Sequence, residues 1–94
     1  MNSKLENNLD DKLVKLQLVL DETTKFPSKY LFKFIVPVAQ VQKILTVLEN
    51  MEIEQKASAN GNWISVSASA IMQNSNEIIA IYKKASVIQG VISL

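Results

Sequence analysis

The sequence predicts an α+β domain with a four-stranded antiparallel sheet and two helices on one face of that sheet. Runs of alternating apolar and polar residues, typical of strands, recur after residue 29, and segments with helical spacing lie between them. Asn60-Gly61 joins two of these runs, as the turn of a hairpin would. The order of elements is therefore βαββαβ, the ferredoxin-like pattern, and its topology places the strands in the order 4-1-3-2.

A further helix is predicted to precede this unit. Four of its leucines are spaced by four, three and four positions, so they would form one stripe along a helix: Leu9, Leu13, Leu16 and Leu20. A strand is the alternative, because residues 14–20 also alternate in part. We favour the helix, since the leucine spacing begins earlier and Asp10-Asp11 suits a first turn. Pro27 ends the helix, because the residue before a proline avoids helical geometry. Residues 1–25 form the predicted N-terminal polar tail and helix, and residues 26–94 the ferredoxin-like domain.

The first half of the predicted domain has two strands and one helix. Tyr30–Val36 is rich in aromatic and β-branched residues, which favours a strand. Pro37 suits the first position of the following helix. The apolar residues of that helix fall on one face: Val41, Ile44, Leu45 and Leu48. Met51–Ala57 alternates as the second strand, and Ser58–Gly61 is the turn after it.

The second half begins with the third strand, Trp63–Met72. Asn74 and Glu77 have the spacing of a capping box, which marks the start of a helix. The inward residues of that helix recur at helical spacing: Ile78, Ile81, Tyr82 and Ala85. Gly90 breaks it, and Val91–Leu94 is a short last strand.

Lys33 lies within an otherwise apolar strand, and alternation predicts where its side chain points. Phe32 and Phe34 share one face of the strand, whereas Lys33 shares the other with Leu31 and Ile35. Burying an unpaired ammonium group costs several kcal/mol or more. We therefore expect the phenylalanines under the helices and Lys33 on the helix-free face of the sheet, which we call the outer face.

The other two long strands extend the predicted outer face. The third strand contributes Trp63, Ser65, Ser67 and Ser69, because Ile64, Val66, Ala68 and Ala70 can enter the core. The second contributes Glu52, Glu54 and Lys56 if Ile53 points inward. From these residues we select a candidate interaction set: Leu31, Lys33, Ile35, Lys56, Trp63, Ser65 and Ser67.

Composition excludes several kinds of site. The chain has no cysteine and no histidine, so a disulfide framework, a Cys/His metal site and a histidine-based triad are impossible. Glu52 and Glu54 share a strand face, but acids at this spacing are usually solvated, and Asp10-Asp11 and Asp21-Glu22 are typical of helix-end charge. We predict no catalytic residue, no metal site and no cofactor.

The charge balance makes nucleic acid an unlikely partner. The chain has ten lysines, nine acidic residues and no arginine, so its formal net charge is +1. RNA-recognition sheets also need aromatic residues on both central strands, whereas here one offers Trp63 and the other Lys33. The polar, acidic start MNSKLENNLDDK is unlike a signal peptide, and no apolar run reaches the roughly 20 residues of a membrane span. We expect a cytoplasmic protein with no membrane partner.

Three blocks of the chain resemble the YbeD-like family, small bacterial proteins of unknown function: FPSKYLFKFIVP at residues 26–37, SANGNWISVSAS at residues 58–69 and GVISL at residues 90–94. The resemblance implies an ACT-like βαββαβ fold and no established enzymatic activity. The positions that match the family are Phe26, Pro27, Tyr30, Lys33, Gly61, Ser65 and Gly90. Asn62 and Trp63 stand where a basic residue and a tyrosine are expected, which argues against a shared anion-binding role there.

ACT domains bind small effectors near the first strand-to-helix loop and at a dimer interface, and glycine in that loop helps the backbone approach the ligand. This loop reads Val36-Pro37-Val38-Ala39 and has no glycine, so the resemblance supports the architecture more than ligand binding. We predict a non-enzymatic regulatory or protein–protein interaction domain that uses the outer face or the strand edges, with a protein partner or a weak homodimer. The alternatives are a domain that senses a small-molecule effector at a loop or dimer cleft and, more weakly, an RNA-binding sheet.

Overall fold

The computed structural model describes the backbone of residues 3–94 and the side chains of residues 9–94. Met1 and Asn2, which belong to the predicted polar tail, lie outside the described residues. The elements in chain order are α1 (Ser3–Thr23), β1 (Ser28–Pro37), a 3-10 turn (Val38–Gln40), α2 (Val41–Val47), β2 (Glu52–Ala57), β3 (Trp63–Met72), α3 (Ser75–Ser86) and β4 (Ile92–Ser93).

The four strands form one antiparallel sheet in the order β2-β3-β1-β4, which confirms the predicted ferredoxin-like arrangement. The register of β1 with β3 runs from Ser28 opposite Met72 to Pro37 opposite Trp63. β1 and β3 are therefore the central strands, and β1 is paired with β3 along its whole length.

The core lies between the sheet and the helices, on the side that alternation predicts. Phe32, Phe34 and Val36 of β1 have no exposed surface. Val66 and Ala68 of β3 are equally buried and belong to the same apolar cluster. Fully buried side chains from α2, from the residue that caps its end and from α3 cover this cluster: Ile44, Leu48, Ile78 and Ala85. The predicted inward faces are thus confirmed.

The N-terminal helix packs on the rest of the chain. Leu20 belongs to the core cluster, Leu16 packs against it, and Leu13 is also buried. A polar contact fixes the start of α3, because the Ser75 hydroxyl donates a hydrogen bond of 2.6 Å to the Asp21 carboxylate. The same hydroxyl accepts one of 3.2 Å from the side-chain amide of Gln17. Helix α1 therefore extends the helical layer that covers the sheet.

Helix α1 begins earlier than its charge pattern predicts. It starts at Ser3, so Asp10 and Asp11 lie in its interior and not in its first turn, and the predicted first turn is wrong. Residues 3–8 contain neither proline nor glycine, so nothing in them interrupts the helix. The end of the helix at Thr23 agrees with the prediction.

Pro37 is the last residue of β1, and the prediction that it opens a helix is wrong. Its φ and ψ of −57° and 146° are extended, and it lies opposite Trp63 in the sheet. The Val38 amide donates to the carbonyl of Asn62 at 3.0 Å, so the contact with β3 continues past the proline. This pairing delays the helix, which passes through the 3-10 turn before α2 begins.

The last strand is shorter than the predicted Val91–Leu94. Only Ile92 and Ser93 are in strand geometry, although the Leu94 amide still donates to the Lys33 carbonyl at 2.9 Å. Gly90 has a φ of +81°, and a Cβ there would lie 2.8 Å from Cγ of Pro37. Glycine is therefore required where the chain turns towards β1.

The start of α3 has the predicted capping interactions. The Glu77 amide donates to the Asn74 side-chain oxygen at 3.0 Å, and the Glu77 carboxylate accepts from the Gln73 amide at 2.7 Å. The first hydrogen bond satisfies one of the amides that the helix leaves free, and the second ties the Glu77 side chain to the residue before the cap. The helix therefore has a defined first residue.

Substitutions of two neighbouring residues of β1 are expected to differ in their cost to stability. Phe34→Ala should lower the free energy of unfolding by about 3–5 kcal/mol, because it removes a fully buried ring. Lys33→Ala should lower it by less than about 1 kcal/mol, because Lys33 is exposed. Denaturant unfolding of both variants measures the two values, and a larger loss at Lys33 would contradict the assignment of the two faces.

The hairpin between β2 and β3 depends on Gly61. Its φ is +76°, its amide donates to the Ser58 carbonyl at 2.9 Å, and no atom within 4 Å would meet an added Cβ. Gly61→Val should therefore destabilise through backbone strain alone, and Gly61→Asn should be much milder, because asparagine tolerates positive φ. Thermal melts of both variants test this, and equal losses would refute a conformational role for the glycine.

Candidate interaction surface

The structure brings the candidate interaction set together on the helix-free side of the sheet. Lys33 of β1 lies opposite Ser67 of β3, and Ile35 lies opposite Ser65. Lys56 of β2 lies opposite Ser65 from the other side, so it occupies the same row of the sheet as Ile35. Leu31 and Trp63 mark the two ends of the set along the central strands.

Four aliphatic side chains form a patch around Lys33 that we call the aliphatic patch: Leu31, Ile35, Ile92 and Leu94. Leu31 is 63% exposed and Leu94 is 64% exposed, whereas Ile92 is 45% exposed. Ile92 lies opposite Ile35, so these two residues share a face of the sheet. Lys33 is bordered by Leu31 and Ile35 along its own strand, and its carbonyl is held by Leu94.

Sequence reasoning missed the part of this patch that lies on β4. Ile92 and Leu94 are both apolar. The sequence alone shows neither which face of the sheet they share nor where β4 pairs with β1. The only available signal was their shared parity, since residues two apart on a strand share a face. The register of Ile35 opposite Ile92 supplies the missing information.

Trp63 lies at the edge of the outer face and not at its centre. It is 37% exposed and pairs with Pro37, at the end of both central strands. A shallow hollow beside it is lined mainly by small and apolar groups, among them Ile35, Ala57 and Ala59. The indole therefore extends the apolar surface towards the β2–β3 hairpin.

The part of the outer face that lies towards β2 is polar. A second hollow is lined by Lys33, Glu54, Lys56, Ser65 and Ser67. Further along the sheet, the ammonium of Lys29 and the carboxylate of Glu52 form an exposed ion pair at 3.6 Å, which contributes little to stability. The outer face therefore divides into an aliphatic part on β1 and β4 and a polar part on β2 and β3, and Lys33 of β1 lies where the two parts meet.

Two observations on the part of the chain that the structure describes concern metal binding and a core tyrosine. Within that part, no three acidic side chains lie close enough together to hold a metal ion. Burial, and then a 2.9 Å hydrogen bond to the Tyr30 hydroxyl, raise the pKa of Tyr82 above that of a free tyrosine. Tyr82 packs edge-on against Phe32 and Phe34, so the shift follows from its place in the core and not from the outer face.

Comparison with known proteins identifies the family. A family described as "Protein of unknown function (DUF493)" matches residues 21–94, which is most of the chain. The chain belongs to this family. It is also called the YbeD-like family, so the resemblance of the three sequence blocks is confirmed. No curated protein and no solved structure gives a significant match.

The positions that match the YbeD-like family have different structural roles. Tyr30 lies on the core side, Gly61 lies in the hairpin, and Gly90 lies at the turn into β4. Lys33 and Ser65 lie on the outer face, where both line the polar hollow. Phe26 packs against the core cluster and is followed by a cis peptide bond to Pro27.

One finding bears on the membrane. Within residues 3–94, no helix combines the length and the apolar character that crossing a bilayer requires.

Titration of Tyr82 should affect stability only at high pH. Above about pH 10 a free tyrosine loses its proton, whereas Tyr82 in the folded chain retains it. Unfolding then releases a proton, so the free energy of unfolding falls as pH rises above that value. Below that value the titration of Tyr82 does not change the free energy of unfolding. Urea unfolding from about pH 8 to about pH 11 should show a smaller fall for Tyr82→Phe than for the wild type. Parallel curves would contradict this assignment.

Proposed function

We propose that this YbeD-like chain is a non-enzymatic interaction domain that binds a partner protein through its outer face. The observation that carries this proposal is the aliphatic patch, in which Leu31, Ile92 and Leu94 are exposed and Ile35 is half-buried, on the side of the sheet opposite the core. The helices cover the other face of the same sheet, and none of these four side chains belongs to the core cluster.

The composition of the patch suits a protein partner. Exposed apolar groups gain roughly 25 cal/mol for each Å² that a partner removes from water. Interfaces typically combine such an apolar centre with an aromatic residue and a polar rim. Here Leu31 and Leu94 supply exposed apolar area, Trp63 supplies the aromatic group, and the serines of β3 supply the rim.

Lys33 defines the chemistry of the partner. The Lys33 side chain is exposed and lies between the aliphatic patch and the polar hollow, where Glu54 and Lys56 are its charged neighbours. It forms no ion pair in the described part of the chain. A partner that covers the patch therefore has to place a carboxylate opposite Lys33, because an unpaired ammonium would otherwise be desolvated. We expect an apolar surface with at least one acidic residue at its centre.

An RNA partner is less well supported by the same surface. Base stacking requires aromatic side chains along the central strands. The aromatic residues of β1 lie on the core side, and Trp63 lies at the end of β3 opposite Pro37. The centre of the face has Lys33 and Ser67 instead, and neither offers a stacking surface.

The proposal predicts that Leu31→Glu abolishes partner binding without unfolding the chain. The change places a carboxylate in the aliphatic patch, which should weaken binding by more than about tenfold. Capture from native lysate with wild type and variant, followed by affinity measurement with the recovered partner, provides the test. Denaturant unfolding of the variant should remain close to that of the wild type, because Leu31 is outside the core.

Val14→Glu is the matched control. Val14 is 56% exposed on α1, away from the sheet, and the substitution makes the same change from an aliphatic to an acidic side chain. It should leave binding unchanged. Equal binding by all three forms would refute the outer face as the binding surface. Capture of RNA that nuclease removes and that depends on Trp63 would favour the RNA-binding alternative.

A further inference from the structure

The open edge of β2 has a charge pattern that is complementary to itself. β2 pairs with β3 on one side only, and within residues 3–94 no strand covers its other side. Five of its six residues are exposed. Glu54 and Lys56 point to the outer face, and the ion pair at the sheet surface uses neither of them.

We propose that β2 pairs antiparallel with β2 of a second copy of this chain, which joins the two sheets into one of eight strands. A two-fold axis passes through Gln55, so that Gln55 lies opposite Gln55 of the second copy. Glu54 then lies opposite Lys56 of the second copy, and the symmetry repeats this pair. On the helix side, Ile53 lies opposite Ala57 of the second copy, again twice.

The neighbouring symmetric registers are all less favourable. An axis through Glu54 places two Glu54 carboxylates against each other, and an axis through Lys56 does the same with two ammonium groups. An axis through Ile53 places Glu52 against Glu54 of the second copy. A shift by an odd number of residues would set the outer face of one chain against the helix side of the other. Since like charges directly opposite each other are destabilising, the axis through Gln55 is the only one of these four that sets no like charges opposite each other.

This charge order distinguishes β2 from an edge that is protected against pairing. Charged residues usually discourage edge strands from adding further strands. Alternation of sign about Gln55 instead favours this antiparallel register over those centred on Ile53, Glu54 and Lys56. The pairing is isologous, so it uses the β2 edge of both copies and closes at the dimer.

The contact is expected to be weak. Exposed ion pairs contribute little energy, so the two Glu54–Lys56 pairs mainly select the register. Backbone hydrogen bonds along six residues and the partly buried Ile53 supply the remaining interactions. The dimer should therefore form at high protein concentration and weaken as salt screens the ion pairs. It does not depend on a partner protein at the aliphatic patch.

A charge-exchange experiment tests the register. Glu54→Lys and Lys56→Glu, each alone, should weaken self-association by at least tenfold, because each change sets like charges opposite each other. An equimolar mixture of the two variants should associate at least as well as the wild type, because every opposing pair is then of opposite sign. Sedimentation velocity over a concentration series, from low micromolar to near millimolar, measures all three samples.

Lys15→Glu on α1 makes the same charge change at an exposed position away from β2, and it should leave the association of the wild type unchanged. Hydrogen exchange should also slow in the β2 amides as the wild-type concentration rises. A wild type that stays monomeric at every concentration would overturn the proposal. So would a mixture that associates no better than its components, or a dimer that Leu31→Glu removes and the β2 substitutions do not affect.

Discussion

Alternation of the side chains on β1 is the constraint on which the rest of the structure depends. β1 is a central strand, paired along its whole length with β3, so its backbone cannot rotate to choose which face each residue joins. Phe32, Phe34 and Val36 need the cover of the helices, and burying them forces Leu31, Lys33 and Ile35 to the opposite side. A shift of one residue would bury an ammonium group and expose two phenyl rings, which makes the register highly specific.

The two sides of the sheet can therefore serve different purposes. The core side is completed by side chains from all three helices, and Leu20 of α1 reaches the same cluster as Phe34. The outer face has no such cover, and its composition is divided between the aliphatic patch and the polar residues of β2 and β3. Binding on that face does not require the core to open, because none of its side chains contributes to the buried cluster. Pairing at the β2 edge would place two outer faces side by side and double the surface available to a partner.

Much of the fold follows from local sequence patterns, because the signals are strong where one face of an element is buried. Alternation placed Lys33 and Phe34 on opposite faces, Asn60-Gly61 located the hairpin, and Asn74 with Glu77 located the start of α3. The patterns failed where an element depends on a distant partner. Pro37 stays in the strand because Trp63 pairs with it, and no local pattern contains that information.

The candidate surface shows the same division. The seven residues of the candidate interaction set were predicted from parity within single strands, and the structure places them on one side of the sheet. The contribution of Ile92 and Leu94 depends on the pairing of β4 with β1, which only the three-dimensional register shows. The self-complementary order of Glu54 and Lys56 is visible in the sequence, but its meaning depends on β2 being an uncovered edge.

Cysteine scanning along β1 tests the central claim most directly, because the chain has no cysteine and each variant would carry a single thiol. The measurement is the rate of thiol labelling under native conditions, with and without the captured partner. The account predicts rapid labelling of Leu31→Cys and Lys33→Cys, slow labelling of Phe32→Cys and Phe34→Cys, and protection of the first two by the partner. Labelling that does not alternate along the strand, or a partner that leaves Leu31→Cys and Lys33→Cys unprotected, would contradict it.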